Sequence, residues 1–205
     1  FEVRSKAENF TAVKLASNVL DMSKKMMNRL FSACSLVDAV CHYSDTDSAV
    51  LPVSYLPDIV KAYETMNERK FTGTQLGQFH SDFSLEGVNE DDIVSTDFYN
   101  IGKKLYLHMI EGPDAKTGVM QYGYKMSCKG FTQKGILHEA REYSGQMEDR
   151  DNLEAMFAAV DRGEEFTINL FPDRSTRIGY SLKTLNPVTL PNTGSSAFVR
   201  TLKKL

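Results

Sequence analysis

The feature that most constrains this chain is the polar tip Tyr43-Ser44-Asp45-Thr46-Asp47-Ser48, set between the apolar runs 36–41 and 49–53. Short apolar runs on either side of a polar turn read as two strands joined tightly, so a hairpin with Asp45 and Asp47 at its end is expected. Like charges so close repel by roughly 1 to 4 kcal/mol, depending on whether water or protein lies between them. A divalent cation reverses the sign of that interaction, and carboxylate oxygens suit magnesium better than zinc. The alternative is a solvated turn, a common use of Asp and Ser. Local sequence leaves both readings open, with the apolar flanks counting toward the metal.

A chain of 205 residues has room for one large or two small domains and a sizeable core. It begins at Phe1, so a natural start further upstream is expected. Its 41% hydrophobic and 25% charged residues fit a soluble globular protein. Cys34, Cys41 and Cys128 are odd in number and lack metal-ligand spacing, which argues against a disulfide framework or a zinc knuckle and for a soluble, reducing compartment. No apolar run approaches the ~20 residues that cross a bilayer, and no signal peptide opens the chain, so no membrane partner is expected. The net charge of -3 counts against a stand-alone nucleic-acid binder unless a local basic patch exists.

Residues 10–31 form an expected amphipathic helix: Phe10, Val13, Ala16, Leu20, Met27 and Leu30 recur at helical spacing, with Lys14, Ser17, Asn18, Lys24 and Lys25 between them. Met22, Met26 and Met27 read as adaptable core filling. Strands at 36–43 and 48–53 follow, the second ended by Pro52. Pro57-Asp58 opens a helix carrying Ile59, Tyr63 and Met66, expected to pack on the hairpin's sheet, with Arg69 and Lys70 near its end. Residues 71–83 read as a loop and a short strand around Leu76 and Phe79, and 86–92 as a solvated acidic connection.

From 103 to 110 the pattern has period two: Leu105, Leu107 and Met109 toward a core, Lys104, Tyr106 and His108 opposite. After a turn at 112–118, the strand at 119–129 sets Met120, Tyr122, Tyr124 and Met126 on one side and Gln121, Lys125, Ser127 and Lys129 on the other. A basic face with a tyrosine in it suits a phosphate backbone, and the alternative is the solvated face of an ordinary antiparallel sheet. Thr132 is expected to cap a helix with Ile136, Leu137, Ala140 and Tyr143. Asn152 is expected to cap another with Leu153, Met156, Phe157 and Val160, stopped by Gly163. Strands at 166–171 and 175–183, a loop at 192–196 and the cations Arg200, Lys203 and Lys204 complete an α+β chain whose texture changes near Gly130.

Taken in order, the long helix, the Tyr-x-Asp-Thr-Asp-Ser hairpin and the strand with Lys104-Leu105-Tyr106 resemble the C-terminal half of a family B DNA polymerase. The tip resembles motif C of that family, Leu76-Gly77 the short element after it, Lys104-Leu105-Tyr106 the Lys-x-Tyr motif, and Cys128-Lys129-Gly130 the lead into the thumb. The likeness is greatest to the protein-primed branch of phages, viruses, transposons and linear plasmids, covers most of residues 5–135 and fades beyond. It implies an antiparallel palm sheet with packed helices over 1–135 and a smaller mixed thumb subdomain over 136–205. The implied activity is attack of a primer 3′-hydroxyl on the α-phosphate of a deoxynucleoside triphosphate, releasing pyrophosphate, with two Mg2+ ions (or Mn2+) as cofactor. The resemblance makes Asp45 and Asp47 the catalytic and metal-binding acids, with Tyr43, Thr46 and Ser48 in support. Lys104, Tyr106, Lys125 and Lys129 would hold primer-template DNA.

The family's motif A carboxylate and motif B lysine, and its exonuclease motifs, do not occur here. The chain is therefore expected to be a piece of a longer polymerase that begins after motif B, inactive without its N-terminal part, with a terminal priming protein as a further partner. A metal-dependent glycosyltransferase acting on nucleotide sugars also uses Asp-x-Asp after an apolar strand, but gives Lys104, Tyr106 and Lys129 no purpose. A phosphatase of the Asp-x-Asp-x-Thr type fits less, because Ala49 stands where Thr or Val is wanted. A DNA-binding module without catalysis is the remaining alternative.

Overall fold

The computed structural model describes residues 6–172, 176–180, 187–191 and 199–205, with side chains over 13–172 and 199–205. It is an α+β chain of helices and antiparallel sheets that divides into two compact units between Asp82 and Phe83.

In the first unit, helix α1 (Lys6–Leu36) runs through a stretch free of Gly and Pro, the two residues that most disfavour helix interiors. It ends where Val37 N–H turns back to Cys34 O and Asp38 takes a positive φ of 53°. Met27, Leu30, Ala33 and Cys34 form its buried stripe at spacings of three and four, against Ile59 and Tyr63 of helix α2 (Leu56–Asn67). Tyr63, Phe71 and Phe79 extend this core, with Phe71 stacked on Phe79 at 4.9 Å and edge-on to Tyr63 at 5.1 Å. The hairpin strands are β1 (Tyr43–Asp45) and β2 (Ser48–Val50), and Ala49 and Leu51 pack on the same core.

Several expectations change here. The strand expected at 36–43 begins only at Tyr43, because α1 continues to Leu36 and only Ala39 of the run that follows is buried. Helix α2 packs chiefly on α1, and the hairpin reaches the same core through Ala49 of β2. Val13 and Leu20, assigned to a core face, are 65% and 53% exposed, and Met22 is 62% exposed while Met27 is buried. The segment around Leu76 and Phe79 contributes one isolated bridge, Thr72 to Phe79, and leaves Leu76 exposed.

The second unit centres on a sheet of β3 (Val94–Gly102), β4 (Leu105–Pro113) and β5 (Met120–Cys128) in that order. Strand β3 was not expected. Leu105, Leu107 and Met109 do face the core, joined there by Ile136 and Ala140 of α3 (Gln133–Ser144), Leu153, Met156, Phe157 and Val160 of α4 (Asp149–Asp161), and Ile168 of β6 (Phe166–Asn169). Thr132 caps α3, accepting from Gly135 N–H and donating to Leu170 O. At Gly135 a Cβ would stand 2.3 Å from Asn169 O, so the helix approaches β6 as closely as only glycine permits.

Strand β6 pairs with β9 (Val199–Leu202), and β7 (Thr176–Tyr180) pairs with β8 (Pro187–Pro191). The strand expected at 166–171 ends at Asn169, β7 covers the described part of the strand expected at 175–183, β8 and β9 are additional, and the rest of 175–183 and the loop at 192–196 lie outside the described residues. Helix α4 starts three residues before the expected cap: Glu148 is the N-cap, and Asn152 lies inside the helix, 1% exposed. Its amide donates to Gln146 O and Glu148 O and accepts from Gln146 N–H, so it binds the preceding loop rather than the first turn. The boundary at 135/136 falls inside α3, whose side chains share one core with β4; the contacts divide the chain at 82/83 instead.

Candidate functional site

The register Tyr43 to Val50, Ser44 to Ala49 and Asp45 to Ser48 leaves Thr46 and Asp47 as the two loop residues. Tyr43 and Asp45, two apart on β1, share one face and are half-buried, while Thr46, Asp47 and Ser48 are exposed. Asp47 N–H donates to Asp45 O at 2.7 Å across Thr46, whose φ is 57°. That i to i+2 closure places a β-branched residue in the left-handed region, where such residues are outliers. The Thr46 hydroxyl donates to Asp45 Oδ1 at 3.2 Å, and the Ser48 hydroxyl to Asp45 O at 3.1 Å. Both hydroxyls flanking the acids therefore bond within the turn.

The donor chemistry fits a hard divalent cation. Magnesium keeps several waters and takes one or two carboxylates plus substrate phosphates rather than a full protein cage. Asp45 and Asp47 match that partial set, and among the described residues no group of three or more His, Cys, Asp or Glu converges to complete it.

The second unit holds the remaining predicted residues. Lys104 is not on β4: it occupies the β3–β4 turn at a φ of 59°. Tyr106 lies opposite Ser127, and His108 opposite Lys125 and Phe98, so these side chains share a face. That face is an aromatic cluster rather than a solvated basic surface. Phe98 stacks on His108 at 4.4 Å, and Phe83 and Tyr106 meet the imidazole edge-on at 5.1 Å and 5.4 Å. Lys125 Nζ lies 5.8 Å from the Phe83 ring centre. His108 is 3% exposed, with Nδ1 2.9 Å from the Ser95 hydroxyl. Burial, and secondarily the Lys125 charge, push its pKa from 6.5 down to about 4, so it is neutral at pH 7.

Cations do gather at the end of the sheet. Lys129 N–H donates to Lys104 O at 2.9 Å, and Arg200 Nη1 donates to Gly130 O at 2.6 Å. Lys103, Lys104, Lys129 and Arg200 thus crowd one corner built from the β3–β4 turn, the end of β5 and β9. Adjacent positions 103 and 104 carried that signal for two of them. Nothing local marks Arg200, which reaches Gly130 only through the β6–β9 pairing. A separate basic recess in the first unit, lined by Lys25, Arg29 and Arg69, was also not anticipated.

Comparison with family models, curated proteins and solved structures finds no match for this chain.

Proposed function

We propose that this chain is the C-terminal part of a family B DNA-directed DNA polymerase of the protein-primed type, acting on primer-template DNA and deoxynucleoside triphosphates. The observation that carries the reading is the hairpin tip: Asp45 and Asp47 stand at the closed end of a tight turn in the order Tyr-x-Asp-Thr-Asp-Ser. Magnesium bound there, with manganese as a substitute, supplies Lewis-acid chemistry that favours attack by the primer 3′-hydroxyl and departure of pyrophosphate.

The chain's own residues position that chemistry. Asp45 holds the first carboxylate, oriented by the Thr46 hydroxyl, and Asp47 adds a second negative charge from the loop. Ser48 fixes the Asp45 carbonyl and so the turn itself. Tyr43, on the Asp45 face, shapes the floor. The corner of Lys103, Lys104, Lys129 and Arg200 grips the duplex by its phosphates, with Tyr106 and Lys125 behind it as framework more than contact. A further carboxylate and a triphosphate-binding lysine come from the N-terminal part of the same polymerase, and a terminal protein provides the priming hydroxyl.

Primer extension tests this. The full product of the reading frame containing this sequence is expected to extend a primer, and Asp45→Asn to lower the rate by about a hundred- to a thousandfold, the order seen when one electrostatic partner of a transition state is removed. The 205-residue chain alone is expected to extend nothing. Full activity in the Asp45→Asn protein, or extension by the isolated chain, would refute the reading.

A further inference from the structure

Two contiguous recesses lie on the first unit. One, of about 340 Å³, is lined by Met22, Lys25, Met26 and Arg29 of α1 with Asn67 and Arg69. The other, of about 200 Å³, is lined by Arg69, Lys70, Gln75, Leu76, Gly77 and Gln78. Arg69 belongs to both, and Gly77 sits where an added Cβ would lie 3.5 Å from the Met26 methyl and 3.9 Å from Arg69 Nη1, so the two form one trough. We propose, resting on the polymerase reading for the class of ligand, that this trough binds the phosphate backbone of a nucleic-acid strand.

The lining explains the choice. Lys25, Arg29, Arg69 and Lys70 carry positive charge along it, and no Asp or Glu among the described residues lines either recess. Its cations come from two stretches of chain, α1 and the residues just after α2, so the patch is a product of the α1–α2 packing rather than a charge run in sequence. They are strung along two recesses instead of converging on one point, which suits successive phosphates better than a compact triphosphate. Met22 lines one recess and Leu76 the other, 62% and 96% exposed, as apolar surface for sugars and bases. Gln78 Oε1 accepts from Gln75 N–H, so the loop that closes the second recess is tied by its own side chain.

The test uses the whole 205-residue chain in EDTA, so that binding does not depend on a cation at the hairpin. Anisotropy of a fluorescein-labelled primer-template duplex is read at rising salt. Three phosphate contacts account for a slope of log K against log salt of about -2.7, at 0.9 per contact, so the variant Lys25→Gln/Arg29→Gln/Arg69→Gln should be shallower by about that amount. In the unmutated protein, bound duplex should protect Lys25 from acetylation relative to Lys61, which is exposed on α2 outside the trough. Protection together with a shallower slope in the folded variant supports the proposal; if the variant does not fold, protection alone decides. An unchanged slope in a folded variant, no protection of Lys25, or equal protection by tripolyphosphate at matched phosphate overturns it. Primer extension reads the hairpin and this measurement reads the trough, so either can fail while the other stands.

Discussion

Acidification should weaken the second unit through His108. The imidazole is 3% exposed among Phe83, Phe98 and Tyr106, with Ser95 on Nδ1 and Lys125 opposite on β5. Its folded pKa of about 4 lies below the ordinary 6.5, so the unfolded chain takes up the proton first. Stability is therefore fully present above about pH 6.5 and is lost as pH falls toward 4. Between pH 7 and 5 the loss from this group is about 2 kcal/mol, approaching about 3 kcal/mol below pH 4, at 1.36 kcal/mol per unit of pKa. Low exposure leaves little solvent screening to reduce those figures.

Because the chain has two compact units, a global melt would mix them. Hydrogen exchange on peptides spanning β4, read in urea at both pH values, isolates the relevant one. His108→Gln should remove about 2 kcal/mol of the pH dependence relative to the unmodified protein. An imidazole titrating at its ordinary value in NMR, or a His108→Gln protein with undiminished pH dependence, would refute the reasoning.

Two stability changes follow from strain and burial. Thr46→Gly should raise the urea midpoint of the first unit by the equivalent of about 1 kcal/mol, because a β-branched residue at positive φ is costly and glycine is not; a lower midpoint would count against the strained turn. Asn152→Ala should cost the second unit about 2 to 3 kcal/mol in denaturant titration, since it strips three backbone groups of their buried partner. A change below about 0.5 kcal/mol would show that water replaces them.

Local chemistry in the sequence carried far. The period of two placed Leu105, Leu107 and Met109 toward the core, the Thr132 cap and Pro57 marked two helices, and the acidic tip is a turn. What failed needed knowledge of neighbours. Alternation says that Tyr106 and His108 share a face, not that Phe83 and Phe98 cover it, and those residues lie in stretches whose pattern is less regular. The apolar run before the tip could extend or coil, and helix propagation from α1 claimed its start. Lys104 lies in a turn because two consecutive lysines after Gly102 close the β3–β4 connection, a choice invisible to a count of alternation. Arg200 and the trough around Arg69 depend on pairings between distant segments.

The pairing of β6 with β9 has a consequence for how the second unit tolerates change in length. Asn169 and Val199 are register partners, so the chain between them departs and returns at neighbouring positions, and among the described residues β7 pairs with β8 alone. The closure entropy of such an excursion grows with the logarithm of its length, about 0.6 kcal/mol for each doubling. This edge can therefore carry insertions or deletions while the sheet, the two helices and the basic corner at Gly130 keep their geometry.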